Sequence, residues 1–91
     1  MNNPPNREML VAELISLILS AVNLQHIDKT TLSAKTPLMG ISDGGLGLDS
    51  VDILEVVVVV EHRYEIKIDN ADTGKQVFQT FGTIADYLLS R

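Results

Sequence analysis

The chain is predicted to be all-α, a four-helix bundle with a long first loop and a short third helix. Three observations predict this. Apolar residues recur at helical spacing in three separate stretches. The chain is 45% hydrophobic but only 4% aromatic, with no Trp, and small aliphatic side chains suit a helical core better than a β-sandwich. Its 91 residues also make one small domain, near the lower limit at which a single core supports itself. Residues 1–6, with Pro4-Pro5, read as a flexible lead-in and residues 7–91 as the domain.

The first helix runs from Arg7 to about Asn23. Leu10, Leu14, Leu17, Ile18 and Ala21 form one stripe flanked by Val11, Ile15 and Val22, and Glu13, Ser16, Ser20 and Asn23 lie opposite. Its apolar part is too short to span a membrane and Glu13 interrupts it as a signal-peptide core, so the chain is expected to be cytoplasmic and not membrane-inserted.

Leu24 to Leu48 is a connection of unusual length for a compact domain. Leu32 and Pro37-Leu38 are its expected anchors to the core, and Ser42-Asp43-Gly44-Gly45 is a turn cluster.

The second helix, Val51 to about Tyr64, contains five consecutive valines, Val56 to Val60, whose branched side chains favour strands. The charges decide for helix. Asp52, Glu55, His62 and Arg63 fall on one side of a helical wheel and Ile53, Val57, Val60 and Tyr64 on the other, and alternation gives no such separation. Val59 falls between Glu55 and Arg63 as an isolated exposed valine, and Glu61 is a misfit at the edge of the apolar face.

Beyond Ile66 and Ile68 the chain is expected to turn at Asp69-Asn70 and form a short helix between Ala71 and Val77. Phe78 and Phe81 read as core plugs. Thr83 is the expected cap of a last helix, with Asp86 completing a capping box and Ile84, Tyr87 and Leu88 facing inward.

Several chemistries are excluded. Without cysteine there is neither a disulfide nor a thiolate metal site. Twelve acids against 7 bases give a net charge of −5, which argues against nucleic-acid binding and favours partners with basic surfaces. His26 and His62 have no metal-ligand spacing. The glycine-rich stretch fits neither a dinucleotide fingerprint nor a phosphate-binding loop, and no calcium-loop or serine-hydrolase pattern is present.

What remains is Asp49-Ser50-Val51-Asp52, between Gly44-Gly45-Leu46-Gly47 and the second helix. A serine in the first turn sits among free backbone N–H groups at the positive end of the helix dipole, which tolerates a phosphodiester. The structural alternative makes Asp49 or Ser50 the N-cap, with Asp52 favourable in the first turn.

The stretch Gly47-Leu48-Asp49-Ser50-Val51-Asp52-Ile53-Leu54-Glu55 resembles the phosphopantetheine attachment motif of the acyl carrier proteins. Length, acidity, the long first loop, Thr36-Pro37-Leu38 and the closing helix match that family too, so the likeness covers nearly the whole chain. It implies that the chain is a free-standing carrier and no enzyme. Ser50 would receive 4′-phosphopantetheine from coenzyme A through a phosphopantetheinyl transferase and carry acyl groups as thioesters for fatty-acid, polyketide-like or other specialised biosynthesis. Asp49, Asp52 and Glu55 match acids that face basic patches on the transferase and on acyl-loading, condensing and modifying enzymes. Val51 and Val58 match apolar contact positions, and Val59 adjoins them in a docking strip. The carrier would act as a monomer.

Two departures stand out. His62 and Arg63 replace the acids usual at the far end of the docking face, and Ser42-Asp43-Gly44-Gly45 lengthens the loop, which together point to a specialised carrier with dedicated partners. The sequence leaves two alternatives: a peptidyl carrier loading an amino acid, and a helical interaction module in which Ser50 is only an N-cap.

Overall fold

The computed structural model describes residues 6–40, 44–68 and 71–90. It is a bundle of four helices: α1 (Arg7–Ala21), α2 (Ser50–Tyr64), α3 (Ala71–Val77) and α4 (Phe81–Leu89). A 3₁₀ turn at Lys29–Thr31 interrupts the first loop. No helix is long and apolar enough to cross a membrane, among the described residues. The sequence-predicted lead-in, up to Pro5, and the turn residues Ser42, Asp43, Asp69 and Asn70 lie outside the described residues.

Local chemistry accounts for both ends of α1 and for the end of α2. Asn6 caps α1 by accepting a hydrogen bond from the Met9 N–H at 2.7 Å. At the other end Asn23 takes a left-handed conformation (φ 65°), and the Leu24 N–H reaches back to the Leu19 carbonyl. α2 ends in the same way on Glu65 (φ 53°), with the Ile66 N–H bonded to the Glu61 carbonyl. The Glu61 carboxylate then accepts from the Ile68 N–H at 2.7 Å, so the sequence misfit is a side chain that ties down the segment after its own helix.

The start of α4 corrects the sequence reading. Thr80, not Thr83, is the N-cap, and Thr83 is the third residue of the capping box, exchanging hydrogen bonds with Thr80. The Thr83 hydroxyl also donates to the Val77 carbonyl at 2.7 Å, which joins the end of α3 to the start of α4. Asp86 takes no part in the cap. It pairs with Arg7 at 2.7 Å and links α4 to the start of α1.

The core is built from Leu14, Ile18 and Leu19 of α1, Val56 and Val60 of α2, Phe81 and Ile84 of α4, and Leu38 of the loop, all fully buried. Phe78 is buried beside Phe81, as expected. The apolar face of α1 is rotated from the predicted stripe. Leu19 lies inside it, and Leu17 and Ala21 lie only half-buried at its edge. α4 packs on one part of this face and α2 on another, with α3 closing on α4.

The long loop is strapped to this core. Pro37 bridges to Thr80, the Leu38 N–H donates to the Gln79 carbonyl at 2.9 Å, and the Gly82 N–H donates to the Ala34 carbonyl at 2.8 Å. Leu38 thereby enters the core as expected, with Leu32 partly buried against it. On the other edge of the same segment the Leu46 N–H bonds to the Pro37 carbonyl and the Leu48 N–H to the Leu38 carbonyl. The residues immediately before α2 are therefore hung on a segment that is itself pinned to α4.

Candidate functional site

The approach to α2 depends on two glycines. A side chain at Gly45 would run into the carbonyl group of Gly40, so the loop can close on itself only without one. Gly47 has φ 71°, a left-handed conformation that costs an ordinary residue energy and glycine almost none. That turn drops Leu48 into the core (5% exposed) and leaves Asp49 extended at the helix entrance.

Asp49 is the N-cap. Its carboxylate accepts from the Asp52 N–H at 2.9 Å, and the Asp52 carboxylate accepts from the Asp49 N–H at 3.3 Å, a reciprocal capping box. Both acids also lie at the positive end of the helix dipole. The idea that Ser50 serves as the N-cap is thus corrected. Ser50 is the first residue of the helix, is exposed, and its hydroxyl makes no hydrogen bond among the described residues. The cap needs one short polar side chain, and Asp49 supplies it. Among the described residues, the cap does not use the Ser50 hydroxyl.

From Ser50 a solvent face runs down α2. Val51, Leu54 and Val58 are 69%, 65% and 61% exposed, spaced at about one helical turn, and Glu55 and His62 are exposed on the same face. The structure thus groups Ser50, Asp49, Val51, Glu55, Val58 and His62 on one accessible surface, with Asp52 half-buried at its upper flank. Leu54, quoted in the sequence motif but given no contact role, belongs with the two valines. Its spacing of three from Val51 and four from Val58 is the signal that marks it.

One sequence assignment changes, and a second residue gains a partner. Val59 is half-buried, not an isolated exposed valine, because it lies beside Leu17 of α1 in a shallow depression that His62 and Arg63 border. A wheel drawn on α2 alone cannot show the neighbouring helix. Arg63 is turned toward α1 as well. It pairs with Glu13 at 3.4 Å and lies over the Tyr64 ring, and the Tyr64 hydroxyl donates to the same Glu13 oxygen at 2.6 Å. Burial, then the bond to Glu13, raise the Tyr64 pKa well above its ordinary value. Of the two basic residues, His62 stays on the solvent face and Arg63, also exposed, takes part in a clasp between α1 and α2.

No group of acids and histidines able to hold a metal ion occurs among the described residues. Neither the family models nor the curated proteins with which the chain was compared match it.

Proposed function

We propose that this chain is an acyl carrier protein of the free-standing type, with Ser50 as the attachment point of 4′-phosphopantetheine. The observation that carries this reading is the division of labour at the head of α2: Asp49 performs the capping, and Ser50 next to it presents an unengaged, exposed hydroxyl. The surroundings fit the group. The Ser50 and Val51 N–H groups have no acceptor among the described residues, and Ser50 is exposed.

Loading is a phosphoryl-type transfer performed by a separate transferase. The Ser50 oxygen attacks the phosphorus that bears pantetheine in coenzyme A, the bond to the leaving 3′,5′-ADP breaks, and the serine proton passes to a base of the transferase. The attached group supplies a thiol on a long arm, to which acyl groups are joined as thioesters. The chain's own residues hold the arm's anchor still and present a docking face. Tethering raises the effective concentration of cargo at each partner active site, so the carrier requires no catalytic side chain.

The docking face has the composition such an exchange needs. Val51, Leu54 and Val58 are exposed large apolar residues beside Asp49, Asp52 and Glu55. Exposed apolar area supplies affinity. Acids on its rim steer partners with basic patches and keep binding weak enough for turnover. The peptidyl-carrier alternative shares every one of these features and differs in the enzyme that loads the thiol. The localisation proposed with this reading is cytoplasmic.

The deciding experiment is intact mass after incubation with coenzyme A and a broad-specificity phosphopantetheinyl transferase, with Ser50→Ala in parallel. The expected result is addition of one phosphopantetheine to the wild type and none to the variant. A folded wild type that stays unmodified with this enzyme and is also unmodified when purified from its own source would overturn the proposal.

A further inference from the structure

A groove of about 670 Å³ lies between α1 and the first loop, on the side of α1 away from α2. Its volume is within the roughly 300–1,000 Å³ typical of small-molecule sites. Val11, Ala12 and Ile15 of α1 and Leu32 and Ala34 of the loop form an apolar floor. The two ends differ in charge. At one end Lys29 donates to the Ser16 hydroxyl at 3.0 Å and has no carboxylate partner among the described residues. At the other, Arg7 is already neutralised by Asp86, and Glu8 stands beside it. Ala34 marks this second end, because its carbonyl accepts the Gly82 N–H next to Arg7.

The groove therefore has a direction. It runs along α1 from Ser16 to Arg7, nine helical rises, or roughly 13.5 Å. An anion has one favourable place in it, beside Lys29 and Ser16, where it would gain a charge-assisted hydrogen bond and a hydroxyl donor. At the Arg7 end an anion would meet Glu8 and an arginine already paired. An alkyl chain laid over Ala12 and Leu32, above the nearly buried Val11 and Ile15, covers the apolar floor between them.

We infer that this groove is a non-covalent site for a medium-chain aliphatic carboxylate, its head group on Lys29 and Ser16 and its tail toward Ala34. The site is separate from Ser50 and goes beyond the carrier reading. Because it does not depend on the arm, it is tested in full-length protein carrying Ser50→Ala, so that failure of either idea leaves the other standing.

The probe is decanoate, titrated below its micelle concentration and followed by amide chemical shifts. Saturable shifts at Ala12, Ser16, Leu32 and Ser33 are expected. Lys29→Gln should weaken binding roughly tenfold, the loss of one charge-assisted hydrogen bond. Decanol, with the same tail and no charge, should bind comparably less well. Ala12→Glu, an exposed position on the groove floor, should abolish the shifts while leaving the spectrum folded. Shifts confined to α2, equal affinity for decanol, or indifference to Lys29→Gln would each overturn the inference.

Discussion

Two adjacent residues at the head of α2 have separate jobs, and substitutions can pull them apart. Asp49 accepts the Asp52 N–H and satisfies a donor that would otherwise lack a partner. Asp49→Ala should therefore destabilise the fold by about 1 kcal/mol, the usual cost of losing such a cap, read as a lower urea midpoint at constant slope. Ser50→Ala removes an exposed hydroxyl that bonds to nothing among the described residues, and alanine is the best helix former. Its stability should stay within roughly 0.5 kcal/mol of wild type. A large loss of stability in Ser50→Ala, with Asp49→Ala neutral, would reverse the assignment of the cap and remove the argument that Ser50 is present for modification. Asp28 is a third residue whose chemistry is local. Bonds from the Thr30 hydroxyl and then the Thr30 N–H hold its pKa below the ordinary carboxylate value. Its folded-state preference for the charged form is thus fully expressed above the ordinary value and disappears as pH falls through the lowered one.

α2 carries a conflict between propensity and use. Val58 is 61% exposed in mid-helix, where a branched side chain loses rotamer freedom and covers no core. Val58→Ala should stabilise the helix by about 0.5 kcal/mol, because alanine has the higher propensity. If Val58 contacts partners, the same substitution should raise the transferase KM several-fold with kcat little changed. A variant that is destabilised and still docks normally would show Val58 to be structural. The clasp at the other end of α2 makes a prediction of opposite character. Tyr64 is held neutral by burial and by its bond to Glu13, so its folded pKa lies above the unfolded one. The stability this contributes is complete below the unfolded value near 10 and is lost as pH rises through the folded value. Wild type should lose thermal stability more steeply than Tyr64→Phe above pH ~10. Parallel profiles would mean that the clasp is not felt in solution.

The same elements show what a one-dimensional reading can reach. The charges flanking the valine run identify α2 as a helix, and its helical period places Val60 correctly with respect to solvent. The misplaced Val59, and Arg63, exposed as expected but paired with Glu13, lie on the flank that faces α1, and their surroundings come from Leu17 and Glu13, some 40 to 50 positions earlier in the chain. Thr80 and Thr83 are hard to tell apart for a related reason. Both are threonines with a polar residue three positions on, and the bond from the Thr83 N–H to the Thr80 hydroxyl shows which one is the cap. At the candidate site the serine, its acids and two of the exposed apolar residues are legible, because they are contiguous in sequence or about one helical period apart. The groove beside α1 is not, since its floor joins residues 11–15 to residues 32–34, some twenty positions apart in the chain.

At the scale of the whole molecule, under the carrier proposal, charge acts on folding and on docking in opposite senses. The net charge is −5, and only two salt bridges, Arg7–Asp86 and Arg63–Glu13, are formed among the described residues, both solvent-exposed. Exposed pairs contribute little, so mutual repulsion of the uncompensated acids outweighs them. Asp49, Asp52 and Glu55 concentrate that repulsion at the head of α2, where the helix dipole and the two N–H bonds of the capping box offset it. Raising sodium chloride shortens the screening length from ~10 Å at 0.1 M to ~3 Å at 1 M, which weakens repulsion inside the molecule and attraction to a basic partner alike. Over this range the melting temperature should rise by about a few degrees, as a gain of under 1 kcal/mol would produce in a domain of this size. The transferase KM should rise over the same range, with single-turnover modification still reaching completion. Chloride is the appropriate anion, because sulfate would stabilise the fold through exclusion from its surface whatever the charges do. A melting temperature that falls with chloride would show the two salt bridges to outweigh the acidic excess. A KM indifferent to salt would show that docking rests on Val51, Leu54 and Val58 alone, and the acids around Ser50 would then be explained by the capping box they form.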